Sequence, residues 1–146
     1  MLKKLRQRLK NERGLTLIEL LAVVVILGII AAIAIPSIGG LIDNSKKDAH
    51  VANAKQMVSS AKLEISSKAA ESTAATEGKV TLGELEEGGY IDTLKDPDGD
   101  KESYSRTDSF VTYDATKKSY SVTLKGKKRT ITGTSDSITR ASVNNN

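Results

Sequence analysis

Residues 15–35, LTLIELLAVVVILGIIAAIAI, fill 21 positions, of which only Thr16 and Glu19 are strongly polar. No other stretch restricts the fold so tightly. As a helix it measures about 31 Å, close to the roughly 30 Å hydrocarbon core of a bilayer. A buried core helix is the alternative. The 16 consecutive nonpolar residues from Leu20 to Ile35 argue against it, because a soluble helix keeps a polar face. Lys3, Lys4, Arg6, Arg8, Lys10 and Arg13 all precede the run, with Glu12 the single acid among residues 1–14. The positive-inside rule then leaves the N-terminus in the cytoplasm and sends most of the chain outward, as a single-pass protein.

The formal net charge of +4 is unevenly placed. The first 14 residues carry +5, so the other 132 carry −1, and the basic character belongs to the N-terminal segment. A nucleic-acid partner therefore gains no support from the body of the chain. One Phe, four Tyr and no Trp also make a poor platform for stacking bases. There is no cysteine, which excludes a disulfide framework and a thiolate metal site.

A secretory signal peptide is the rival for the N-terminal segment. It would use the basic flank, the apolar run and Ala32-Ile33-Ala34 as a small-x-small cleavage site. The result would be a secreted or membrane-anchored binding domain that never polymerises. The run is longer than the usual apolar region of such a peptide, Glu19 interrupts it, and Pro36 stands just beyond the cut.

Glu19 raises the sharper question, since an ionised carboxylate left unpaired in an apolar bundle costs several kcal/mol. Snorkelling to the headgroups is one answer. The surrounding residues supply another. The basic leader followed by GLTLIEL (Gly14 to Leu20) resembles the processing site of the type IV pilin superfamily, and Gly28 and Pro36 lie in the similar stretch LGIIAAIAIP. Leu15 stands where the family commonly has Phe. The resemblance covers roughly the first third of the chain.

The resemblance implies that a prepilin peptidase cuts after Gly14 on the cytoplasmic side and that the new amine of Leu15 is N-methylated. It implies a subunit of a type IV pilus-like filament at the cell surface, serving adhesion, motility or DNA uptake. A competence or type II secretion pseudopilin is the alternative. Its partners would be other copies of itself, other pilins, an assembly ATPase and a membrane platform protein. The lack of a cysteine pair is Gram-positive-like.

Physical reasons fit this processing. Gly14 has no side chain to keep a protease from the backbone, and it weakens the helix locally. Cleavage frees an α-amine that titrates near pH ~8. That amine in a neighbouring subunit would satisfy Glu19 only in an assembly, which makes Glu19 the expected assembly determinant.

Beyond the membrane run, Pro36 is expected to kink or loosen the helix, in a zone that Gly39 and Gly40 also weaken. Val51, Ala54, Val58, Ala61 and Ile65 then recur at helical spacing and define one apolar face. Ile38, Leu41 and Ile42 supply a similar face earlier. The chain thus divides into a leader (1–14), a membrane and assembly half-helix (15–35), an amphipathic half-helix (36–68) and a head (69–146).

Small polar residues at 66–79 read as a linker or frayed helix end. Thr81 with Glu84 has the capping-box spacing, so a short helix is expected before Gly88-Gly89. SFVTYD, SYSVTL and KRTITG alternate as three strands joined by turns at ATKK and KGK. They would bury Val111, Tyr113, Tyr120, Val122, Leu124 and Ile131 in part. The final ASVNNN reads as a loose tail. The expected fold is α+β and pilin-like, a long N-terminal helix packed on a small antiparallel sheet.

Sites for chemistry are few. DPDGDKE places Asp96, Asp98 and Asp100 as oxygen donors for calcium. The spacing fails the EF-hand pattern, because Gly99 comes fourth instead of sixth. The resemblance adds that major pseudopilins of type II secretion carry calcium in a comparable loop. The ordinary reading is a solvated acidic turn. His50, the single histidine, sits among polar residues and reads as a surface side chain. KGKKRT (Lys125 to Thr130) is a basic cluster best explained as a charged hairpin turn. With no GxSxG, SxxK or glycine-rich phosphate loop, no enzymatic activity is expected and no cofactor is implied.

Overall fold

The computed structural model describes residues 2–71, 78–99 and 102–146, with side chains in the first helix from 16 to 68. The architecture is α+β and pilin-like: one long N-terminal helix and a five-stranded antiparallel sheet. Two compact units divide the chain, Met1–Ile42 and Asp43–Asn146.

Helix α1 (Leu2–Glu71) continues through Pro36 and ends three residues beyond the expected Lys68. Its last turn is supported by Lys68, whose Nζ lies 2.6 Å from Glu64 Oε1 one turn earlier, a cation well placed at a helix C-terminus. Residues 72–77, the middle of the expected linker, lie outside the described residues.

Within the second unit, α1 contributes Ala54, Met57, Val58 and Ala61 to a hydrophobic cluster, with Val51 and Ile65 packed at its margin. The apolar periodicity thus marks the buried face correctly. The sheet contributes Val80, Val111, Val122, Leu124, Ile131 and Val143 to the same cluster, and a short helix α2 (Leu82–Glu87) adds Leu82 and Leu85. The expected capping box starts α2. Thr81 Oγ1 accepts from Glu84 N, and the Glu84 carboxylate accepts from Thr81 N at 2.7 Å. Gly89 then takes a φ of +71°, the left-handed conformation that glycine adopts without steric cost.

The sheet is a meander in the order β1 (Gly78–Thr81), β2 (Phe110–Asp114), β3 (Ser119–Lys125), β4 (Arg129–Thr134) and β5 (Val143–Asn145). The three strands read from alternation are β2, β3 and β4, and they form the middle of the sheet. The two edges correct the sequence reading. Gly78 and Lys79, assigned to the linker, belong to β1, which is held by pairing along β2 from Gly78↔Tyr113 to Thr81↔Phe110.

The tail is not loose either. Val143 pairs with Ile131, Asn145 pairs with Arg129, and Val143 is buried. The Asn146 side chain donates to Gly126 O at 2.8 Å, and its backbone N–H donates to Lys128 O at 3.0 Å. Backbone ladders and amide side chains anchor this segment, so hydrophobic alternation does not reveal it.

The turns fall as expected. Asp114 accepts from the N–H groups of Thr116 and Lys117 between β2 and β3, where Lys118 adopts a positive φ of 51°. Lys125, Lys127 and Arg129 of the basic cluster pair with Asp108, Glu102 and Asp43, which fits a charged turn.

Candidate processing and assembly segment

The first unit is unusual for what it leaves uncovered. From Leu17 to Ile42 every large apolar side chain is 50–71 % exposed. These include Ile38, Leu41 and Ile42, expected to form an apolar face. A water-exposed surface of this kind is unstable as it stands, because each Leu or Ile forgoes roughly 1.5–3 kcal/mol of burial. It requires lipid or other apolar helices around it. Among the described residues, α1 is the one helix long and apolar enough to cross a membrane.

Glu19 lies on this helix, is exposed, and is the one charged residue between Leu15 and Ile42. It takes part in none of the ion pairs among the described residues. Gly14 and Leu15 are part of α1, while the Leu15 side chain lies outside the described residues. Pro36 is inside the same helix.

The second unit holds a buried polar cluster that the sequence reading placed on the surface. His50 is wholly buried, contrary to its expected exposure. It lies one turn before Ala54 and two before Met57, on the buried face of α1. Its Nε2 lies 3.0 Å from Asp98 Oδ2 and 3.7 Å from Asp96 Oδ1. On the other side of the ring, Nδ1 is 2.7 Å from the Tyr104 hydroxyl. Asn53 donates its side-chain N–H to that hydroxyl at 3.0 Å and to Lys95 O at 3.2 Å, joining α1 again to the loop.

Asp96 and Asp98 of the DPDGDKE stretch are therefore interior groups, and the solvated-turn reading is corrected for them, whereas Glu102 stays exposed. Asp100 lies outside the described residues. Asp96 Oδ1 accepts from Asp98 N at 2.9 Å, and Asp96 Oδ2 accepts from Lys127 N at 2.7 Å. The Lys95↔Ser103 bridge closes the loop at its base. Burial pulls the Asp98 carboxyl upward, but the His50 hydrogen bond, Arg129 and Lys46 outweigh it and leave the group below the usual carboxylate range. Burial pushes the Tyr104 phenol well above its ordinary value, so it stays protonated and keeps a hydrogen to donate.

Sequence reasoning missed Asn53, Tyr104 and Arg129 as members of this cluster. Asp96 and Asp98 were marked by the acidic stretch, and burial of His50 was signalled by its spacing of four from Ala54 and seven from Met57. The cluster does not touch the processing motif in sequence, and the two are separate features of the chain.

Comparison with known proteins bears on the first of them. No curated protein and no solved structure is significantly similar to the chain. Residues 9–35 match the family model of the prokaryotic N-terminal methylation motif, a span that contains Gly14, Leu15 and Glu19. This chain carries, over those residues, the signature of the type IV pilin and pseudopilin family, joined to a pilin-like α+β fold.

Proposed function

We propose that the chain is the structural subunit of a type IV pilus-like filament. It enters the membrane with its N-terminus in the cytoplasm, is cut after Gly14 by a prepilin peptidase and is N-methylated at Leu15. An assembly ATPase and a membrane platform protein then move it into a surface filament built through residues 15–65. Glu19 carries the proposal: a single carboxylate in the otherwise uncharged, exposed apolar stretch from Leu15 to Ile42, five residues after the glycine of the methylation motif. The freed amine of a neighbouring subunit is its natural partner. Pairing there fixes the stagger between subunits while their apolar surfaces cover one another.

The head favours a pilus role over a small pseudopilin, since five strands and the short helix α2 make a substantial domain. The absence of cysteine fits a Gram-positive cell envelope.

The test is the N-terminus and intact mass of protein sheared from the surface of the producing cells. The proposal predicts methyl-leucine at position 15. A mature start at Ile35 means release by signal peptidase without the assembly helix, and the filament reading then fails.

A further inference from the structure

We propose that His50, Asp96 and Asp98 form a binding site for a divalent transition-metal ion, zinc being the best match. The three donor atoms, His50 Nε2 and one oxygen of each carboxylate, all lie within 4.8 Å of one another, and all three residues are buried. Zinc binds imidazole nitrogen and carboxylate oxygen at about 2.0–2.2 Å, which separates neighbouring ligands in a tetrahedron by roughly 3.4 Å. The separations of 3.0 Å and 3.7 Å from Nε2 to the two carboxylate oxygens bracket that value. An imidazole donor favours a borderline ion over calcium, whose ligands are all oxygen.

The surroundings are those of a supported site. Tyr104 stands against the far nitrogen of the ring at 2.7 Å, as a group that orients a metal-bound imidazole does. With zinc on Nε2, the ring proton resides on Nδ1 and the Tyr104 oxygen accepts it. Two backbone amides, from Asp98 and Lys127, fix the Asp96 carboxylate.

A second observation points to a cation. The Asp96 side chain is 0 % exposed, and His50 is its one ion-pair partner among the described residues. A buried carboxylate without a cation is costly, and a divalent ion between Asp96 and Asp98 neutralises it. The rival is a metal-free cluster neutralised by Arg129 and by Lys46, whose Nζ is 3.4 Å from Asp98 Oδ1.

Such an ion would join α1 to the 96–104 loop in a head that has no disulfide. The site draws on neither the methylation motif nor filament assembly, so it stands whether or not the proposed function does.

The sequence makes the test clean, because the chain has one histidine and no cysteine. Full-length, untagged protein is purified in detergent, stripped with EDTA and titrated with zinc, cobalt(II) and calcium. The proposal predicts one zinc per chain, the visible absorption of tetrahedral cobalt(II), and displaced ring NMR signals from His50. At a hundredfold excess over the dissociation constant the melting temperature should rise by about 10 °C. His50→Gln and Asp98→Asn should each weaken zinc binding at least tenfold. If neither variant folds, the wild-type ring signals and cobalt spectrum still decide. Unmoved His50 signals at saturating zinc, zinc bound equally well by folded His50→Gln, or calcium binding in zinc's place would each overturn the site.

Discussion

The same helix meets two fates. Between Leu17 and Ile42 its large apolar residues stand exposed, whereas Ala54, Met57 and Ala61 are completely buried. The difference lies in the pattern, since both stretches are rich in aliphatic residues. The first is apolar on every side and needs a surrounding of similar apolar groups. The second gathers most of its apolar residues, Leu63 excepted, into one stripe that the sheet and α2 cover. One stretch is finished within the chain, and the other requires something outside it. A stripe of small and medium side chains suits folding, while an all-round apolar surface suits lipid or other apolar helices.

Substitutions should therefore separate the two regions cleanly. Met57 is fully buried, so Met57→Ala should destabilise the head of the detergent-solubilised chain by about 2–5 kcal/mol. Leu27→Ala, on a residue 59 % exposed, should leave the same unfolding transition within about 0.5 kcal/mol. Urea melts followed by circular dichroism compare the pair, and equal losses would erase the distinction.

A smaller effect is expected where the head's backbone passes close to the buried cluster. A Cβ at Gly126 would sit 2.6 Å from Asp96 Oδ2 and 3.0 Å from Arg129 O. Gly126→Ala should cost roughly 1–3 kcal/mol by overpacking, and a neutral result would show that the loop gives way freely.

Thr81→Ala should cost about 1 kcal/mol at pH 7 through loss of the α2 cap. Its penalty should shrink in acid. The backbone N–H and hydroxyl of Thr81 hold the Glu84 carboxyl below its ordinary value of 4.5. The contribution of Glu84 is thus present above pH 4.5 and fades as the pH falls through the lowered folded value. Melts of wild type and variant at pH 7 and pH 3 measure the change, and a constant difference would mean that the Glu84 charge plays no part.

How far the sequence was legible follows from the range of the interactions. The long helix, its buried stripe, the Thr81 cap and the three middle strands all announce themselves within a few residues. The edge strands do not. Val143-Asn144-Asn145 has one apolar residue and owes its place to pairing with Arg129–Ile131. The cluster was harder still, because Asp98 meets His50 across 48 residues and Tyr104 meets it across 54. Local sequence shows polar neighbours around His50, and only its phase on the helix points inward. The N-terminal methylation motif, by contrast, is contiguous, and the family resemblance was legible within residues 9–35.

The central claim is that Glu19 is completed only by another copy of the chain. The direct measurement is to express Glu19→Leu in the producing cell, then compare membrane-inserted protein with sheared surface filaments by immunoblot and electron microscopy. The account predicts an unchanged membrane pool, an unchanged head melting temperature and a loss of filaments well beyond tenfold. Filaments at the wild-type level would contradict it.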